Sequence, residues 1–121
     1  MQSNVTMVLG ASPNPERYSY MATVMLSDKG HSVYPFGIKK GMIQTLEILQ
    51  DWPSIGSIET LTLYLGPQAQ ASYYDQIINL APKRIIFNPG TENPILANMA
   101  KAAGIATIEA CTLVMLTTGQ Y

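Results

Sequence analysis

Short apolar segments alternate with segments of helical periodicity along this chain, and the alternation constrains the fold more than any other feature. The segments that suit strands are 5–9, 31–36, 61–65, 84–87 and 105–108. Parallel strands joined through helices need right-handed crossovers, which place helices on both faces of a sheet. We therefore expect an α/β, three-layer Rossmann-like doubly wound fold with a mostly parallel sheet of five strands, or of six.

Four helices are expected between these strands, each from apolar residues at three- and four-residue spacing. The first starts near Ser19 and stops before Gly30, and the fourth ends at Gly104. The second is short and ends at Trp52-Pro53. The apolar positions are Met21, Val24 and Met25; Ile43, Leu46 and Leu49; Tyr74, Ile77, Ile78 and Ala81; and Leu96, Met99, Ala100 and Ala103. The segment 112–121 is assigned to neither class.

The composition suits one compact domain over residues 1–121, since 47% of the 121 residues are hydrophobic and 12% are charged. The net charge of −1 argues against binding to DNA or RNA. No apolar run approaches the roughly 20 residues that cross a bilayer, and the first four residues lack the features of a secretory signal. A cytoplasmic protein without a membrane partner is the expectation. With one cysteine and one histidine, neither an internal disulfide nor a His/Cys metal cage is expected.

The first strand runs into a turn that suits a nucleotide-phosphate site. Gly10 allows the backbone to turn sharply after the strand, and Ser19 is expected to cap the helix that follows. The free N–H groups at the start of that helix, together with its dipole, would attract an anion. An ordinary strand-to-helix turn, without a ligand, is an equally good interpretation of the loop alone.

Four turns rich in glycine and proline follow strands and are expected on one rim of the sheet, where ligands of such folds bind. They are the segments 10–14, 37–41, 66–67 and 88–90. The segment 34–37 lacks the carboxylate that NAD-binding units use for the ribose, and Ser12 and Pro15 replace glycines of their loop. Lys39 and Lys40 suit a further phosphate, such as those of coenzyme A and NADP, or are a solvated pair.

At this point the chain resembles a known family, the small stand-alone CoA-binding proteins. Their fold is that of the CoA-binding domain in the succinyl-CoA synthetase α subunit. The family's opening pattern is met by residues 9–19, its second-strand pattern by residues 30–36 and its Asn-Pro-Gly-x-Glu-Asn motif by residues 88–93. Cys111 matches a cysteine near the end of the last strand. The resemblance covers nearly the whole chain.

The resemblance implies coenzyme A or an acyl-CoA as the ligand, with no metal. The residues that it would place at the pyrophosphate are Gly10, Ala11, Ser12, Arg17 and Ser19, with Pro13 of the same loop also at the ligand. Lys39 or Lys40 would meet the phosphorylated ribose, and Pro67, Pro89 and Gly90 would line the remaining cleft. Two segments depart from the family's pattern. Gly37-Ile38 stands where the family commonly has Asn-Pro, and residues 64–68 lack the two arginines that often follow the third strand.

The side chains give little support for catalysis. Ser12 has no histidine in a recognisable motif with it. Cys111 has no flanking base or cationic group to activate it, so an ordinary buried thiol is expected. His31 is expected at the surface, facing a helix end, and Glu92 is expected to cap the fourth helix. The favoured hypothesis is a non-catalytic carrier or sensor.

Two alternatives to a carrier or sensor stay open at this stage. One is an NADP-linked enzyme or a subunit completed by a partner chain. The other is a degenerate domain that acts through protein contacts. The apolar segment 113–116 could cover the sheet edge or pair with a second copy, which suggests a homodimer.

Overall fold

A computed structural model describes residues 4–54 and 56–121. Its strands, in chain order, are β1 (Val5–Leu9), β2 (Ser32–Phe36), β3 (Met42–Ile43), β4 (Leu46–Glu47), β5 (Thr60–Leu63), β6 (Arg84–Phe87) and β7 (Ala106–Glu109). Five of them form one parallel sheet in the spatial order β2-β1-β5-β6-β7, and β3 pairs with β4 in a separate antiparallel hairpin. The predicted Rossmann-like α/β fold with a five-stranded parallel sheet is confirmed. The strand order reverses between β1 and β5.

The helices are α1 (Tyr18–Asp28), α2 (Pro67–Gln70), α3 (Tyr74–Leu80), α4 (Pro94–Ala102) and α5 (Thr112–Thr117), with a 3₁₀ turn at Ala71–Tyr73. Side chains of β1 alternate between two apolar clusters, as the period of a strand requires. Met7 and Leu9 pack in the cluster that holds residues of α3 and α4, whereas Val8 packs with residues of α1 and α5. The sheet is therefore covered on both faces. Within the described residues, no helix has the length and apolar character to cross a membrane.

The predicted second helix, around residues 43–49, is wrong. This segment forms the β3–β4 hairpin, where Gln44 has a φ of 54° that a helix does not allow. Leu49 then continues along β2, since its N–H donates to the carbonyl oxygen of Pro35 at 2.8 Å and its own carbonyl accepts from the N–H of Gly37 at 3.0 Å. Pairing with the end of β2 overrides the three-residue spacing that suggested a helix.

The segment 113–116 lies in α5 and packs against α1. Met115 and Leu116 are buried in this contact. The interpretation that this segment covers the sheet edge is therefore wrong, because Met115 and Leu116 pack inside the molecule, while Val114 stays 55% exposed.

His31 is half-buried at the amino end of β2. Its Nδ1 accepts a hydrogen bond from the N–H of Asn4 at 2.9 Å, and its ring meets that of Tyr121 edge-on, with 5.1 Å between centroids. The expectation of a surface imidazole facing a helix end is therefore wrong. The half-buried imidazole of His31 contacts Asn4 and Tyr121, and it accepts the bond from Asn4 in its neutral form. Burial, followed by the nearby charge of Arg84, lowers the pKa of His31 below 6.5.

We expect acid to destabilise the protein through His31. Because the folded state holds the imidazole neutral and the unfolded state protonates it near pH 6.5, the free energy of unfolding should fall as the pH drops below 6.5. The loss should level off below the folded pKa. Urea unfolding across this range would measure it, with His31→Asn as the control, because asparagine accepts the same bond without titrating. An equal pH dependence in His31→Asn would contradict the assignment.

Candidate functional site

A cleft of about 410 Å³ opens at the carboxyl ends of β1, β5 and β6, where the strand order reverses. This is the position at which open α/β sheets bind ligands. The residues that line it are Gly10, Ala11, Ser12, Asn14, Arg17, Tyr18, Ser19, Ile38, Lys39, Tyr64, Leu65, Pro89 and Thr91. They come from the loop before α1, from the first turn of α1 and from the turns that follow three other strands.

The structure brings most of the residues expected at a ligand into this cleft. The expected residues that line it are Gly10, Ala11, Ser12, Arg17, Ser19, Lys39 and Pro89, whereas Pro13, Lys40, Pro67 and Gly90 do not. Sequence reasoning placed the turns that contain Asn14 and Ile38 on the ligand rim without naming these two residues as ligand contacts. It did not assign Tyr18, Tyr64, Leu65 or Thr91 to the site. Each of them lies within three residues of a selected position, so proximity along the chain was the available signal.

Two glycines let the backbone segments of the cleft approach each other. Gly10 has a φ of +103°, and a Cβ there would lie 2.8 Å from the carbonyl carbon of Tyr64. A Cβ at Gly37 would overlap the carbonyl oxygen of Ala11. The loop before α1 is thus held directly against the ends of β2 and β5. Gly37 therefore has a steric reason in this chain.

The first amides of the loop are not available to a ligand. The N–H groups of Gly10 and Ala11 both donate to the carbonyl oxygen of Phe36, each at 2.9 Å. Both bonds join the carboxyl end of β1 to that of β2. Gly10 and Ala11 therefore shape the wall of the cleft, and donors to a ligand must come from further along the chain.

The open end of α1 supplies such donors. The helix begins at Tyr18 with Arg17 as its N-cap, and no side chain caps it. The expected cap at Ser19 is therefore wrong, since Ser19 is buried in the first turn. The N–H groups of Tyr20 and Met21 both donate to the backbone carbonyl oxygen of Arg17. Helix geometry leaves the N–H groups of Tyr18 and Ser19 without an intrahelical acceptor. Both residues line the cleft, so the positive end of the helix dipole faces it.

The loop between β1 and α1 is ordered by its own hydrogen bonds. The N–H of Asn14 donates to Oγ of Ser12 at 3.1 Å, and the side-chain oxygen of Asn14 accepts from the N–H of Glu16 at 3.0 Å. The carbonyl oxygen of Asn14 also accepts from the N–H of Arg17 at 3.1 Å. Oγ of Ser12 acts here as an acceptor, so its own hydrogen is free to donate into the cleft.

The charges around the cleft favour an anion. Arg17 and Lys39 line it, and none of its lining residues in the described part of the chain is Asp or Glu. Burial raises the pKa of Tyr64 to about 12, so this hydroxyl stays neutral at physiological pH. Two cations and an uncapped helix end therefore meet no negative charge on the cleft wall.

A buried polar network fixes the far side of the cleft. Nδ2 of Asn88 donates to Oγ1 of Thr62 at 2.7 Å and to the carbonyl oxygen of Leu63 at 2.8 Å. Its Oδ1 accepts from the N–H of Thr112 at 2.9 Å. Asn88 thus ties the ends of β5 and β6 to the start of α5. Replacing any partner would leave buried polar atoms unpaired.

Gln70 ties the turns after β5 and β6 together. It is fully buried, and its Nε2 donates to the carbonyl oxygens of Leu65 and Thr91, each at 2.8 Å. Its Oε1 accepts from Nδ2 of Asn93 at 2.9 Å. Gln70 lies in a polar stretch of sequence that is typical of an exposed segment, so the sequence did not predict this role. Gln70 therefore helps to position Leu65 and Thr91, which line the cleft.

Asn93 rather than Glu92 caps α4. The side-chain oxygen of Asn93 accepts from the N–H groups of Ile95 and Leu96, so the expectation for Glu92 is wrong. Glu92 instead accepts from the N–H of Gly90 at 2.9 Å and closes the preceding turn. Its carboxylate is therefore directed to this turn, and Glu92 does not line the cleft.

Cys111 is half-buried and precedes α5, outside the lining of the cleft. Over residues 4–54 and 56–121, no group of three His, Cys, Asp or Glu side chains is placed to hold a metal ion. The chemistry that this cleft offers is therefore that of hydrogen-bond donors, two cations and apolar walls.

Comparison with known proteins agrees with this geometry. Among curated proteins, none matches the chain. A solved structure described only as that of an uncharacterized protein is 43% identical, covers 100% of both chains and superposes with a TM-score of 0.97. A hypothetical protein from Pyrococcus horikoshii OT3 is 24% identical, with 97% of this chain and 84% of that chain covered and a TM-score of 0.86. A protein from Thermus thermophilus is 20% identical, with 99% and 92% covered and a TM-score of 0.85.

The family assignment comes from a sequence comparison that spans nearly the whole chain. The sequence model of the CoA binding domain family matches residues 4–117. The match includes the glycine loop, the open end of α1 and every other residue that lines the cleft. The chain therefore belongs to the CoA binding domain family.

Proposed function

We propose that the chain binds coenzyme A or an acyl-CoA in this cleft, as a carrier or sensor. The observation that carries the proposal is the electrostatic character of the site. An uncapped helix end and two cations face a cleft whose described walls hold no carboxylate. A nucleotide pyrophosphate has the charge and the acceptor oxygens that such a site attracts. Membership of the CoA binding domain family supports coenzyme A over other nucleotides.

In this proposal the pyrophosphate lies at the start of α1. The N–H groups of Tyr18 and Ser19, the hydroxyl of Ser12 and the guanidinium of Arg17 are its donors. Gly10 and Ala11 contribute by allowing close approach rather than by donating. Pro13 keeps a supporting role only, since it packs beside Gly41, where a Cβ would meet its ring at 2.6 Å.

The opposite side of the cleft would take the rest of the ligand. Lys39 lines the cleft beside the exposed Ile38 and is assigned to the ribose phosphate. Lys40 does not line the cleft, so we assign it no contact. Leu65 and Pro89 form the wall along which the pantetheine would run, flanked by the turns that hold Pro67 and Gly90.

A carrier or sensor is proposed because the cleft lacks catalytic pairs. No His, Cys or carboxylate is among its described lining residues, and Tyr64 with a pKa of about 12 is a poor general acid at neutral pH. A cytoplasmic location belongs to the same proposal, because a single free cysteine suits a reducing compartment.

Calorimetric titration tests the ligand directly. Protein freed of any ligand retained in purification would be titrated with coenzyme A, acetyl-CoA, dephospho-CoA, NAD and NADP. Micromolar binding of coenzyme A with much weaker binding of both dinucleotides is expected. Preference for NADP would favour the enzyme alternative. Absence of binding to all five would contradict the proposal and favour a domain that acts through protein contacts.

Lys39→Ala is expected to weaken coenzyme A binding about tenfold, because it removes the charged hydrogen bond to the ribose phosphate. Dephospho-CoA lacks that phosphate, so its affinity should change little. Lys40→Ala is the matched control, since the same charge is lost one residue further along the chain, away from the cleft. Calorimetry on both variants measures the effect. An equal loss in the two variants, or an equal loss for the two ligands, would contradict the assignment of Lys39.

A further inference from the structure

The two edge strands of the parallel sheet, β2 and β7, differ in how far their outer sides are paired. β2 carries Pro35, which lacks an N–H, and the chain around Leu49 pairs with its carboxyl end. At the other edge, β7 has no partner on its outer side among the described residues. None of its four side chains is buried. Of the two edge strands of the parallel sheet, β7 is therefore the one whose outer side is open among the described residues, and such an edge is a template for a further strand.

The hydrogen bonds to β6 fix which groups of β7 point outward. The N–H of Ala106 donates to Lys83, and the N–H of Ala110 donates to Phe87. In a parallel pair, alternate residues direct both backbone groups to the same neighbour. Thr107 and Glu109 therefore direct their N–H and C=O groups away from the sheet. The central residue between them, Ile108, is a large apolar side chain with 42% of its surface exposed.

We propose that β7 pairs with β7 of a second copy of this chain, antiparallel about a twofold axis at Ile108. In this register Thr107 of each copy faces Glu109 of the other, and these two pairs exchange the outward backbone groups. Ile108 faces its own equivalent at the non-hydrogen-bonded position, where the Cα atoms of antiparallel strands come within about 4.5 Å. The two sheets join into one, and the exposed Ile108 is covered by its equivalent.

The charges along the edge favour antiparallel over parallel pairing of two copies. Thr107 and Glu109 lie opposite Ile85 and Phe87 in β6, so they share the face that α4 covers. α4 ends with Lys101 in its last turn, just before β7 begins, whereas Glu109 ends β7. Antiparallel pairing brings Glu109 at the end of each strand toward the amino end of the other strand, which follows the turn of α4 that holds Lys101. A parallel arrangement would align the two acidic ends.

This dimer is independent of the ligand proposal. The cleft lies at the carboxyl ends of β1, β5 and β6, and no residue of β7 lines it. Pairing along β7 leaves both clefts of the dimer open. The self-association therefore stands or fails without regard to coenzyme A.

Sedimentation and light scattering over a concentration series up to about 1 mM test the proposal. The full chain should show a monomer–dimer equilibrium, and Ile108→Lys should weaken dimerisation about tenfold, since two like charges would then face each other. Met42→Lys is the matched control, because Met42 is 51% exposed and lies in the hairpin beside the opposite edge. It should dimerise like the unmodified chain.

A second variant and a second readout separate pairing from loss of folding. Thr107→Pro removes an outward N–H that makes no bond to β6, so it should block dimerisation while the melting temperature of the dilute monomer changes little. In the unmodified chain, hydrogen exchange at the Thr107 and Glu109 amides should slow with concentration, and that at Ile108 should not. A monomer throughout the series, capture only of foreign peptides, or a dimer insensitive to Ile108→Lys would overturn the proposal.

Discussion

Replacing Ser12 by glutamate is expected to lower the affinity for coenzyme A at least about a hundredfold while the chain stays folded. Ser12 lines the cleft beside the open end of α1, and its Oγ already takes part in the loop. A carboxylate there would occupy the donors that the pyrophosphate needs and would repel the phosphates at short range. The partial exposure of Ser12 leaves room for the longer side chain, so folding should survive.

The matched control for this prediction is Ser32→Glu. Ser32 is exposed at the amino end of β2, at the other end of the strands from the cleft. Both variants add the same charge to the same residue type, so a general effect of charge would appear in both. Calorimetry gives the affinities, and circular dichroism with thermal melting shows that each variant is folded. Coenzyme A binding to Ser12→Glu with unchanged affinity would place the phosphates elsewhere.

The central strands could be predicted from sequence because parallel strands buried on both faces form nearly continuous runs of apolar and β-branched residues. β1 and β6 match the predicted segments to the residue, and β5 begins one residue earlier and ends at Leu63. The hairpin at 42–47 could not be predicted in this way. Ile43, Leu46 and Leu49 have helical spacing, and only the contact of Leu49 with β2, distant in sequence, decides against a helix.

The candidate site was predictable in position but not in its donors. The glycine loop and the four turns pointed to the rim of the sheet where the cleft lies, because the ends of parallel strands gather there. The carbonyl oxygen of Phe36 accepts the hydrogen bonds of the Gly10 and Ala11 amides. This arrangement depends on how the ends of two strands meet, which no local sequence pattern encodes. The choice between Lys39 and Lys40 likewise rests on the path of the backbone after β2. Gln70, which holds the far rim, has no local signature.

Gly37→Ala is expected to destabilise the protein by about 3 kcal/mol. The added Cβ would overlap the carbonyl oxygen of Ala11, which is backbone and cannot move aside as the end of a flexible side chain can. Relief would require the loop before α1 to shift away from the end of β2. That shift would break the bonds from Gly10 and Ala11 to Phe36, so the affinity for coenzyme A should fall in the folded fraction as well.

Gly66→Ala is the control for Gly37→Ala, because a Cβ at Gly66 would meet nothing within 4 Å and the free energy of unfolding should change by less than about 0.5 kcal/mol. Urea unfolding measures both stabilities, and calorimetry on the folded protein measures the affinities. A Gly37→Ala variant as stable as Gly66→Ala would show that the loop relaxes at little cost. In that case Gly37 would have no steric reason, and the close packing of the loop on β2 would not determine the shape of the cleft.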